Sequence, residues 1–436
     1  MNFHLEFDGT MVNFHVKTYG CTANLAASEL MVYLLKACGY NPTKSIDDAD
    51  FVIVNTCIVK APTENKVKYQ LRKLYEKYPL IVVGCLPQVL TSWCREKLPK
   101  AALVGVDNYE KICQAANALL QDTPLQLLNR RVAFSSTTQR IRDRKLTGII
   151  VLSKGCTGQC TYCIVKLAKG PLVSKSAELI LQEARTALKN GCKELWLTAQ
   201  DTASYGIDLS SSLPEIVSQI VHLPEDFMVR VGMMNPNYAL KILPNLKEMF
   251  AHPKVYAFIH VPVQSGSNKV LAMMKRKYTI EDYEYLVTEL REALPALTLS
   301  TDIISGFPGE SAQDHQQTKE LIYRLQPDIV NLSKYGDRPG TKASKSTKKI
   351  PSEIIKARSK ELTRIIQNIA FKRNKEWIDW EGSVLVLRRE KHNQAVLARN
   401  KSYKLIQINN ASLKMGENYP VKILDATKTR LLGKLL

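Results

Sequence analysis

The chain has 436 residues, of which 45% are hydrophobic and 23% are charged, so its composition is that of an ordinary globular protein with room for roughly three domains. It contains no run of about 18 apolar residues and begins without a basic segment followed by an apolar core, which predicts neither a membrane span nor a secretory signal. Its 61 basic and 41 acidic residues leave a formal charge of +20, which indicates a polyanionic partner. Nucleic acid is favoured over an anionic membrane surface, because the sequence shows no amphipathic anchor or lipidation signal.

Residues 12–125 alternate apolar runs with helical patterns, which predicts a doubly wound parallel sheet. Cys21, Cys57 and Cys85 each fall just past the carboxyl end of a predicted strand, at the edge where open α/β sheets bind ligands. We therefore expect three thiolates from three loops to meet. The alternative is that each is a small buried residue, since free cysteine packs well. The predicted strands cover residues 14–19, 51–55, 80–83 and 102–106. Four other cysteines are interpreted as packing residues, namely Cys38, Cys94, Cys113 and Cys192.

Residues 126–146 are polar, basic and aperiodic, which is typical of a linker between domains. The segment is either a solvated tether or a contact for phosphate. Asp143 is its only acidic residue. Its basic residues are Arg130, Arg131, Arg140, Arg142, Arg144 and Lys145.

Residues 155–163 hold three cysteines, Cys156, Cys160 and Cys163, at spacings of four and three. This is one thiolate fewer than an ordinary [4Fe–4S] site requires, so the fourth iron would stay open to a small molecule. Zinc and buried structural thiols are the alternatives. Zinc usually takes a fourth ligand nearby, and no histidine or fourth cysteine lies close to this loop in the sequence. The ten cysteines show no even pairing, so metal ligation in a reducing cytosol fits them better than a disulfide framework.

Residues 147–370 contain six strand and helix units in series, which predicts a partial (β/α)6 TIM-type barrel. Polar residues collect where the strands end, on the face where such barrels carry out chemistry. No convincing acid–base pair or nucleophile triad is present, so a cofactor is expected to carry the reaction. The predicted strands cover residues 148–153, 194–199, 228–232, 257–263, 298–304 and 329–333.

Residues 371–436 predict about five short strands, which suggests a small closed β-barrel. One of these strands covers residues 394–398. A basic helix over residues 352–375 precedes the barrel, and residues 342–376 carry eleven Lys or Arg against three Glu. A solvated helix face is the default interpretation of such charge. Basic residues in the first half of the barrel are Arg388, Arg389, Lys391, Arg399, Lys401 and Lys404.

The cysteine loop, with Tyr162 before its last cysteine, resembles the C-x-x-x-C-x-x-C signature of radical S-adenosylmethionine (SAM) enzymes. The whole chain, over about 420 residues, resembles the methylthiotransferase family in its domain order, and its C-terminal barrel resembles the family's RNA-binding TRAM domain. Asn24, Ser28, Glu29 and Asn55 match the family pattern, whereas Ala27 replaces the usual Asp. The N-terminal motifs are Thr18-Tyr-Gly-Cys-Thr-Ala-Asn24, Asn55-Thr-Cys57 and Val83-Gly-Cys85.

Further motifs of the same family lie in the barrel. They are Leu197-Thr-Ala-Gln-Asp with Tyr205-Gly206, His260-Val-Pro-Val-Gln-Ser-Gly-Ser, Met274-Lys-Arg with Tyr278-Thr279, Thr301-Asp-Ile-Ile-Ser-Gly-Phe-Pro-Gly-Glu and Arg338-Pro-Gly-Thr. Lys166 marks a resemblance to the archaeal and eukaryotic branch, which acts on N6-threonylcarbamoyladenosine (t6A) in tRNA. Lys169 stands where the family more often has Arg. The chain ends directly after the barrel, so we expect no membrane tail of the kind that eukaryotic members carry.

The resemblance implies two [4Fe–4S] clusters, one held by Cys21, Cys57 and Cys85 and the other by Cys156, Cys160 and Cys163. It implies that one SAM yields a 5′-deoxyadenosyl radical, which takes hydrogen from C2 of t6A at position 37, and that a second SAM supplies the methyl group of the added methylthio group. A cytoplasmic monomer is expected, which acts on the tRNA anticodon stem-loop with an electron donor and a sulfur donor that the sequence does not identify. Candidate SAM contacts are Tyr162, Gln200, Asp201, Arg230, His260 and Gln264.

Three alternatives stay open at this point. The same reaction could act on isopentenyl-adenosine in tRNA or on a ribosomal protein. Alternatively, a radical SAM enzyme of another type could use the N-terminal cluster as an electron relay. The chain could also be a non-catalytic RNA-binding protein with structural clusters, which would not cleave SAM.

Overall fold

The computed structural model describes residues 11–59, 61–130, 134–390 and 395–436. Three residues named above, Arg131, Lys391 and Gln394, lie outside these ranges. The chain divides into two compact units. The first extends to Asp143 and also contains residues 154–156 and 163–175. The second contains residues 144–153, 157–162 and 176–436.

The first unit is built on a six-stranded sheet in the order β2-β1-β3-β4-β5-β6, in which all neighbours are parallel. The strands are β1 (Asn13–Thr18), β2 (Asn41–Pro42), β3 (Phe51–Thr56), β4 (Leu80–Gly84), β5 (Ala102–Gly105) and β6 (Gln126–Leu127). The helices are α1 (Thr22–Ala37), α2 (Ala61–Tyr75), α3 (Cys85–Val89), α4 (Thr91–Lys97), α5 (Ile112–Leu120) and α6 (Val165–Lys169).

Both faces of this sheet are buried. Successive residues of β3 enter different hydrophobic clusters, Phe51 and Ile53 on one face and Val52 and Val54 on the other. Such a strand reads as a continuous apolar run, because helices cover it on both sides. The predicted doubly wound sheet is confirmed.

Two cysteines of this unit were assigned wrongly as ordinary packing residues. Cys38, directly after α1, and Cys113, in α5, form a disulfide with a Cα–Cα distance of 6.5 Å. The reason is tertiary: α1 and α5 pack beside the same hydrophobic cluster, which brings together two thiols that lie 75 residues apart. Cys94 and Cys192 are buried and form no disulfide, as expected of packing residues.

The second unit contains six parallel strands in two three-stranded sheets, ordered β11-β10-β7 and β12-β13-β14. A bridge between Val229 and Val255 joins the end of one sheet to the chain that enters the other. The predicted partial barrel is confirmed. Its strands are β7 (Thr147–Val151), β10 (Glu194–Thr198), β11 (Met228–Val231), β12 (Phe258–His260), β13 (Thr298–Ser305) and β14 (Ile329–Lys334); β8 (Ser153–Lys154) and β9 (Val173–Ser174) flank the cysteine loop.

Helices follow the barrel strands and pack on their outer side through one large hydrophobic core. Leu195 and Leu197 of β10 and Val229 and Val231 of β11 belong to this core, so the residues between them face the barrel interior. The helices are α7 (Ala177–Lys189), α8 (Leu213–Val221), α9 (Pro236–Ala239), α10 (Leu243–Ala251), α11 (Asn268–Met273), α12 (Ile280–Ala293), α13 (Ala312–Leu325) and α14 (Ser352–Lys375).

After α14 the chain forms the predicted closed barrel of five strands, in the order β15-β16-β17-β19-β18. Val384, Val396, Ile406 and Val421 are among the side chains that fill its interior. No helix among the described residues is long and apolar enough to span a membrane. The strands are β15 (Glu381–Arg389), β16 (Val396–Arg399), β17 (Leu405–Ile408), β18 (Asn418–Ala426) and β19 (Leu431–Leu435).

Candidate active site

Three cysteines meet at the carboxyl edge of the N-terminal sheet. Cys21 follows β1, Cys57 follows β3 and Cys85 follows β4, and these three strands are adjacent. Gly20, with a φ of +116°, allows the first loop to approach the second, since a Cβ atom at Gly20 would lie 2.5 Å from the Cβ of Cys57 and 3.1 Å from its Sγ. The structure therefore brings together the three side chains that the strand-end rule selected.

A buried amide network fixes the three loops. The Asn24 side-chain amide donates to the carbonyl of Thr56 at 2.9 Å and to the Asn55 side chain at 3.2 Å. Asn55 in turn donates to the Asn24 carbonyl at 2.8 Å and to Ser28 Oγ at 2.9 Å. Thr56 Oγ1 donates to Val83 O and accepts the N–H of Leu86, next to Cys85. These bonds give the motif residues a physical role: they hold the cysteine loops in place.

Electrostatics explain why the three thiols suit a bound cation or cluster. Burial, together with the smaller effect of the charges of Cys85 and Cys21, raises the pKa of Cys57 to about 11. Burial also raises the pKa of Cys85. Because thiolates are the metal-binding form, the two buried thiols, Cys57 and Cys85, need positive charge to hold them deprotonated. Iron ions would supply that charge, so the residues present fit a cluster with one iron left open.

Lys169 and Tyr109 border the same edge. Helix α6, which contains Lys169, packs on α3. Ala168 of this helix and Ile164 just before it belong to the same hydrophobic cluster as Cys85. Burial alone would lower the pKa of Lys169, but the charges of Tyr109, Cys85 and Cys21 outweigh it and hold the pKa above its ordinary value. Burial raises the pKa of Tyr109 to about 12, and its hydroxyl is buried without a hydrogen-bond partner in the described part of the chain. A cation and a free donor thus face the thiols.

The second group of cysteines lies in the loop of residues 155–163. Gly155 has a φ of +74°, and a Cβ atom there would collide with the carbonyl of Pro171, so glycine is required. The N–H of Cys156 donates to Gly170 O at 3.2 Å, and Cys163 lies two residues before α6. Cys160 accepts a hydrogen bond of 3.2 Å from Arg276 Nη1. Tyr162 packs edge-on against Phe307, with ring centroids 6.4 Å apart.

Arg276 links this loop to the barrel, and sequence reasoning assigned it no role. Its Nε donates to Tyr278 Oη at 2.9 Å, and its second terminal nitrogen donates to the Asn235 side chain. Burial alone would lower the pKa of Arg276, but Tyr278, Tyr162 and Cys160 hold it well above its ordinary value. A cation is thus fixed 3.2 Å from the Cys160 sulfur. Its position in the family motif that begins at Met274 was the one sequence feature that could have singled out Arg276.

No group of three or more Cys, His, Asp or Glu side chains in the described ranges converges as the ligands of a single metal ion would. The zinc alternative gains no support from this. In a [4Fe–4S] cube each thiolate binds a different iron, so its ligands stand farther apart than those of one ion.

Comparisons with known proteins bear on both sites. Residues 13–105 match the model of the uncharacterized protein family UPF0004, and residues 150–322 match that of the radical SAM superfamily. A protein of Pyrococcus horikoshii named "Probable threonylcarbamoyladenosine tRNA methylthiotransferase" is 38% identical, and the match covers 98% of this chain and all of the relative. The human protein named "Threonylcarbamoyladenosine tRNA methylthiotransferase" is 33% identical over 96% of this chain and 73% of its own length.

The chain belongs to the threonylcarbamoyladenosine tRNA methylthiotransferase family. The radical SAM methyltransferase TsrM from Kitasatospora setae, whose structure contains cobalamin and a [4Fe–4S] cluster, has a TM-score of 0.55 to this chain at 15% identity, over 77% of each chain. At that identity the similarity concerns the fold alone. SAM and [4Fe–4S] clusters, the cofactors expected from the sequence, are those of this radical SAM methylthiotransferase family.

Two candidate SAM contacts of this methylthiotransferase follow β10. Asp201 is buried and accepts hydrogen bonds from the N–H and the side-chain amide of Asn235, at 3.0 and 2.9 Å. Burial raises the pKa of Asp201. The carboxylate therefore orients Asn235, which itself accepts from Arg276. Gln200 Oε1 is buried without a partner among the described residues, so it is an open acceptor for a ligand.

Two further candidates follow β12. His260 Nε2 lies 3.0 Å from Asp302 Oδ1, which also accepts from Asn331 at 2.8 Å. Gln264 has a φ of +75° and is buried, and its backbone bonds to the Asp302 carbonyl and the Ile304 N–H. A non-glycine residue in that conformation is strained, and such strain concentrates at functional sites.

Arg230 lies in the barrel interior and is surrounded by aromatic rings. Its guanidinium carbon lies 5.6 Å from the ring of Trp196, 5.2 Å from Phe258 and 5.8 Å from Tyr403 of the C-terminal barrel. Tyr403 has a φ of +61°, so its loop is strained where it enters this cage. The sequence showed that Arg230 points from a strand, but not that another domain supplies one of its neighbours.

Three of the six basic residues named above in the first half of the C-terminal barrel have partners within the protein. Lys401 donates to the carbonyls of His252, Pro253 and Val255, before β12. Lys404 is buried and bonds to Asp328 at 2.7 Å, and Arg399 stacks on Tyr403 at 3.7 Å. Their expected role in gripping phosphate is not supported, because each already has partners in the barrel or in its own loop.

Proposed function

We propose that this protein converts t6A at position 37 of tRNA into 2-methylthio-t6A. One observation carries the proposal: the chain aligns over 98% of its length with a relative named for this activity. Two groups of three cysteines outside any disulfide support it. The named relatives span archaea and eukaryotes and include an insect protein 36% identical over 97% of this chain. All of these relatives are named for the t6A activity.

We assign one cluster to Cys21, Cys57 and Cys85 and the other to Cys156, Cys160 and Cys163. When bound, the clusters and SAM supply an oxidising radical and the sulfur for C2 of the adenine. The protein's own part is to hold the groups in place. The Asn24–Asn55 network fixes the N-terminal thiols, and Arg276 holds positive charge against Cys160. Lys169 and Tyr109 offer a cation and a hydroxyl donor to sulfur at the sheet edge.

The tRNA partner is supported by charge that remains exposed. On α14, Lys356, Lys360 and Arg364 are all exposed and stand at successive i, i+4 positions, so they form one stripe on the helix surface. Such a stripe can follow a phosphate backbone. We propose that it binds the anticodon stem, whose single-stranded loop can present its base without breaking a duplex. A cytoplasmic monomer that draws on separate electron and sulfur donors completes the proposal.

The test is mass spectrometry of the tRNA nucleosides of a strain that lacks this gene and of the same strain complemented with it. The proposal requires 2-methylthio-t6A to disappear with the gene and to return with it. Loss of 2-methylthio-isopentenyladenosine instead would keep the chemistry and refute the substrate. If no tRNA nucleoside changes, tRNA is not the target.

The non-catalytic and relay alternatives need the purified, reconstituted protein under strong reductant. SAM cleavage by the wild type but not by Cys160→Ala excludes a purely structural cluster. Incorporation of both sulfur and methyl into the nucleoside separates methylthiotransfer from a reaction in which the N-terminal cluster only relays electrons.

A further inference from the structure

One interior layer of the barrel holds three polar groups without partners. Trp196 and Arg230 are register partners in β10 and β11, and both alternate with residues that face the outer helices. Trp196 Nε1 and Arg230 Nε are buried and have no hydrogen-bond acceptor in the described part of the chain. Thr298 Oγ1 is buried and equally unpaired there, and Thr298 is the register partner of Phe258, whose ring contacts Arg230. Buried polar groups are nearly always satisfied, so three in one layer indicate an absent acceptor.

The surrounding charge favours an anion. Arg144 lies over the Trp196 ring at 5.2 Å, and Arg399 lies over the Tyr403 ring at 3.7 Å. The charge of Glu194 acts on Arg230, but its oxygens already accept from Tyr256 at 2.7 Å and from Thr147 at 3.4 Å, and one lies 4.0 Å from Arg399 Nε. Three guanidinium groups therefore stand against one engaged carboxylate, which leaves a net positive site.

The aromatic cage does not by itself account for Arg230. Rings stabilise a cation through their faces, but they offer no lone pair to the Nε–H. Burial lowers the pKa of Arg230, which is the cost that an anionic partner would offset. A planar guanidinium between flat rings suits a planar carboxylate, which two parallel N–H bonds can hold.

We propose that Arg230, Trp196 and Thr298 form a carboxylate-binding site in the barrel interior that receives the threonyl carboxylate of the substrate nucleoside. This inference rests on the proposed function, because t6A carries such a carboxylate and isopentenyl-adenosine carries none. Arg230 lies one residue before the end of β11, roughly 3–7 Å below the end of that strand, whereas Thr298 begins β13 and lies deeper in the barrel. The carbamoyl-threonine arm spans about two extended residues, roughly 7 Å, so its carboxylate can reach Arg230 from a base above the end of β11. The site would thus read the group that distinguishes t6A from other purines at position 37.

The test compares binding of three anticodon stem-loop RNAs by the full-length reconstituted protein. The RNAs carry t6A, the methyl ester of t6A, or unmodified adenosine at position 37. The wild type should bind the t6A RNA about tenfold to hundredfold more tightly than the ester, the range expected for hydrogen bonds to a charged group. Arg230→Met should bind the acid and the ester equally. Arg185→Met, an exposed arginine on α7, is the matched control and should keep the preference.

Two milder variants test the same site if Arg230→Met does not fold. Trp196→Phe keeps a ring and removes the N–H, and Thr298→Val keeps the shape and removes the hydroxyl. Each should reduce the preference for the acid severalfold while the iron content and the circular dichroism spectrum stay unchanged. A preference that survives in all three variants would overturn the proposal.

The remaining outcomes separate this inference from a SAM-binding role of the site and from the proposed function. If the wild type binds acid and ester equally and Arg230→Met weakens SAM binding, the site holds the methionyl carboxylate of SAM, and the proposal is refuted. If the wild type forms 2-methylthio-t6A and Arg230→Met does so with the same KM, this inference fails while the proposed function stands. If the wild type discriminates acid from ester but forms no methylthio product, the function fails and the carboxylate site stands.

Discussion

The N-terminal sheet edge and the barrel interior both contain buried polar side chains, but these are hydrogen-bonded to one another in the first region and partly unpaired in the second. At the sheet edge, the amides of Asn24 and Asn55 satisfy each other and the neighbouring backbone. In the barrel interior, Trp196, Arg230 and Thr298 leave hydrogen-bonding groups unpaired among the described residues. The first site has a self-satisfied amide network, and it offers a ligand its sulfur atoms together with the Tyr109 hydroxyl and the Lys169 cation. The second is polar and open, and it offers N–H and O–H groups.

The difference indicates what each site is built to hold. A network that satisfies itself is rigid before a ligand arrives, which suits a cluster that must be held in one position by three bonds. Unpaired donors cost stability until a ligand arrives, so they belong where affinity for a particular group is needed. The substitutions below should therefore behave differently in the two regions.

The largest expected effect is the loss of the N-terminal cluster. Cys57→Ala or Cys85→Ala removes one of three thiolates, so methylthiolation should fall below detection and the iron content should fall to about half. SAM cleavage should continue, because the cysteine loop of residues 155–163 is untouched. Cys94→Ala, which removes a buried thiol away from the site, is the control. Loss of SAM cleavage in Cys57→Ala would show that the two sites are not separate.

The next effect concerns Arg276, which donates to Cys160. Arg276→Met keeps the bulk and removes the charge, and we expect SAM cleavage to fall about tenfold to a hundredfold, as for other groups that orient metal ligands. The reduction potential of the barrel cluster, measured by electron paramagnetic resonance titration, should move to lower values, because a nearby positive charge is lost. Lys277→Met, at an exposed neighbour, should change neither quantity. An unchanged potential in Arg276→Met would mean that the residue acts only by packing.

A smaller effect is expected from the amide network. Asn55→Ala leaves the buried groups of Asn24 and Ser28 unpaired, so the free energy of unfolding of the cluster-free protein should fall by about 1–3 kcal/mol. Urea unfolding monitored by circular dichroism measures this change. Asn331→Ala, an exposed amide in the barrel, should cost less than 1 kcal/mol. Equal costs at the two positions would remove the basis for calling the sheet edge preorganised.

The smallest effect is expected from Asp314, a satisfied carboxylate of the barrel unit at the start of α13. Burial would raise its pKa, but bonds from Lys269, Ser311 and Ser267 hold the pKa below its ordinary value. The contribution of ionised Asp314 to the free energy of unfolding is therefore complete above about pH 5. It is lost progressively as the pH falls below about 4, the pKa of an aspartate in the unfolded chain.

Asp314→Asn tests this assignment. It should lower the free energy of unfolding by about 1 kcal/mol at pH 7. The difference from the wild type should shrink as the pH falls from about 5 to 3. A difference that stays constant over that range would contradict the assigned pKa direction.

Much of both sites was predictable because periodicity and strand ends are local features. Three apolar runs, each followed by a cysteine, were enough to place Cys21, Cys57 and Cys85 at one edge, since parallel strands align their carboxyl ends. The alternation of strands and helices in both α/β regions and the closed C-terminal barrel were predicted from the same local patterns.

The rest depended on contacts between distant segments. The Cys38–Cys113 disulfide arises because two helices pack side by side, and nothing in either helix's own pattern announces it. Arg276 approaches Cys160 across 116 residues. Lys401 and Lys404 belong to a basic stretch of the kind that binds nucleic acid. In the structure, Lys401 donates to backbone carbonyls before β12, and Lys404 bonds to Asp328. A charge count cannot distinguish exposed cations from cations that the fold has already paired.

The most direct test of the central claim uses purified, reconstituted protein, a t6A-containing stem-loop, sulfide, strong reductant and SAM with a deuterated methyl group. Mass spectrometry of the digested RNA should show t6A replaced by a 2-methylthio nucleoside that carries the deuterated methyl, and Cys57→Ala should form none of it. If 5′-deoxyadenosine accumulates while t6A stays unchanged in the wild-type reaction, the two cysteine sites do not form a methylthiotransferase.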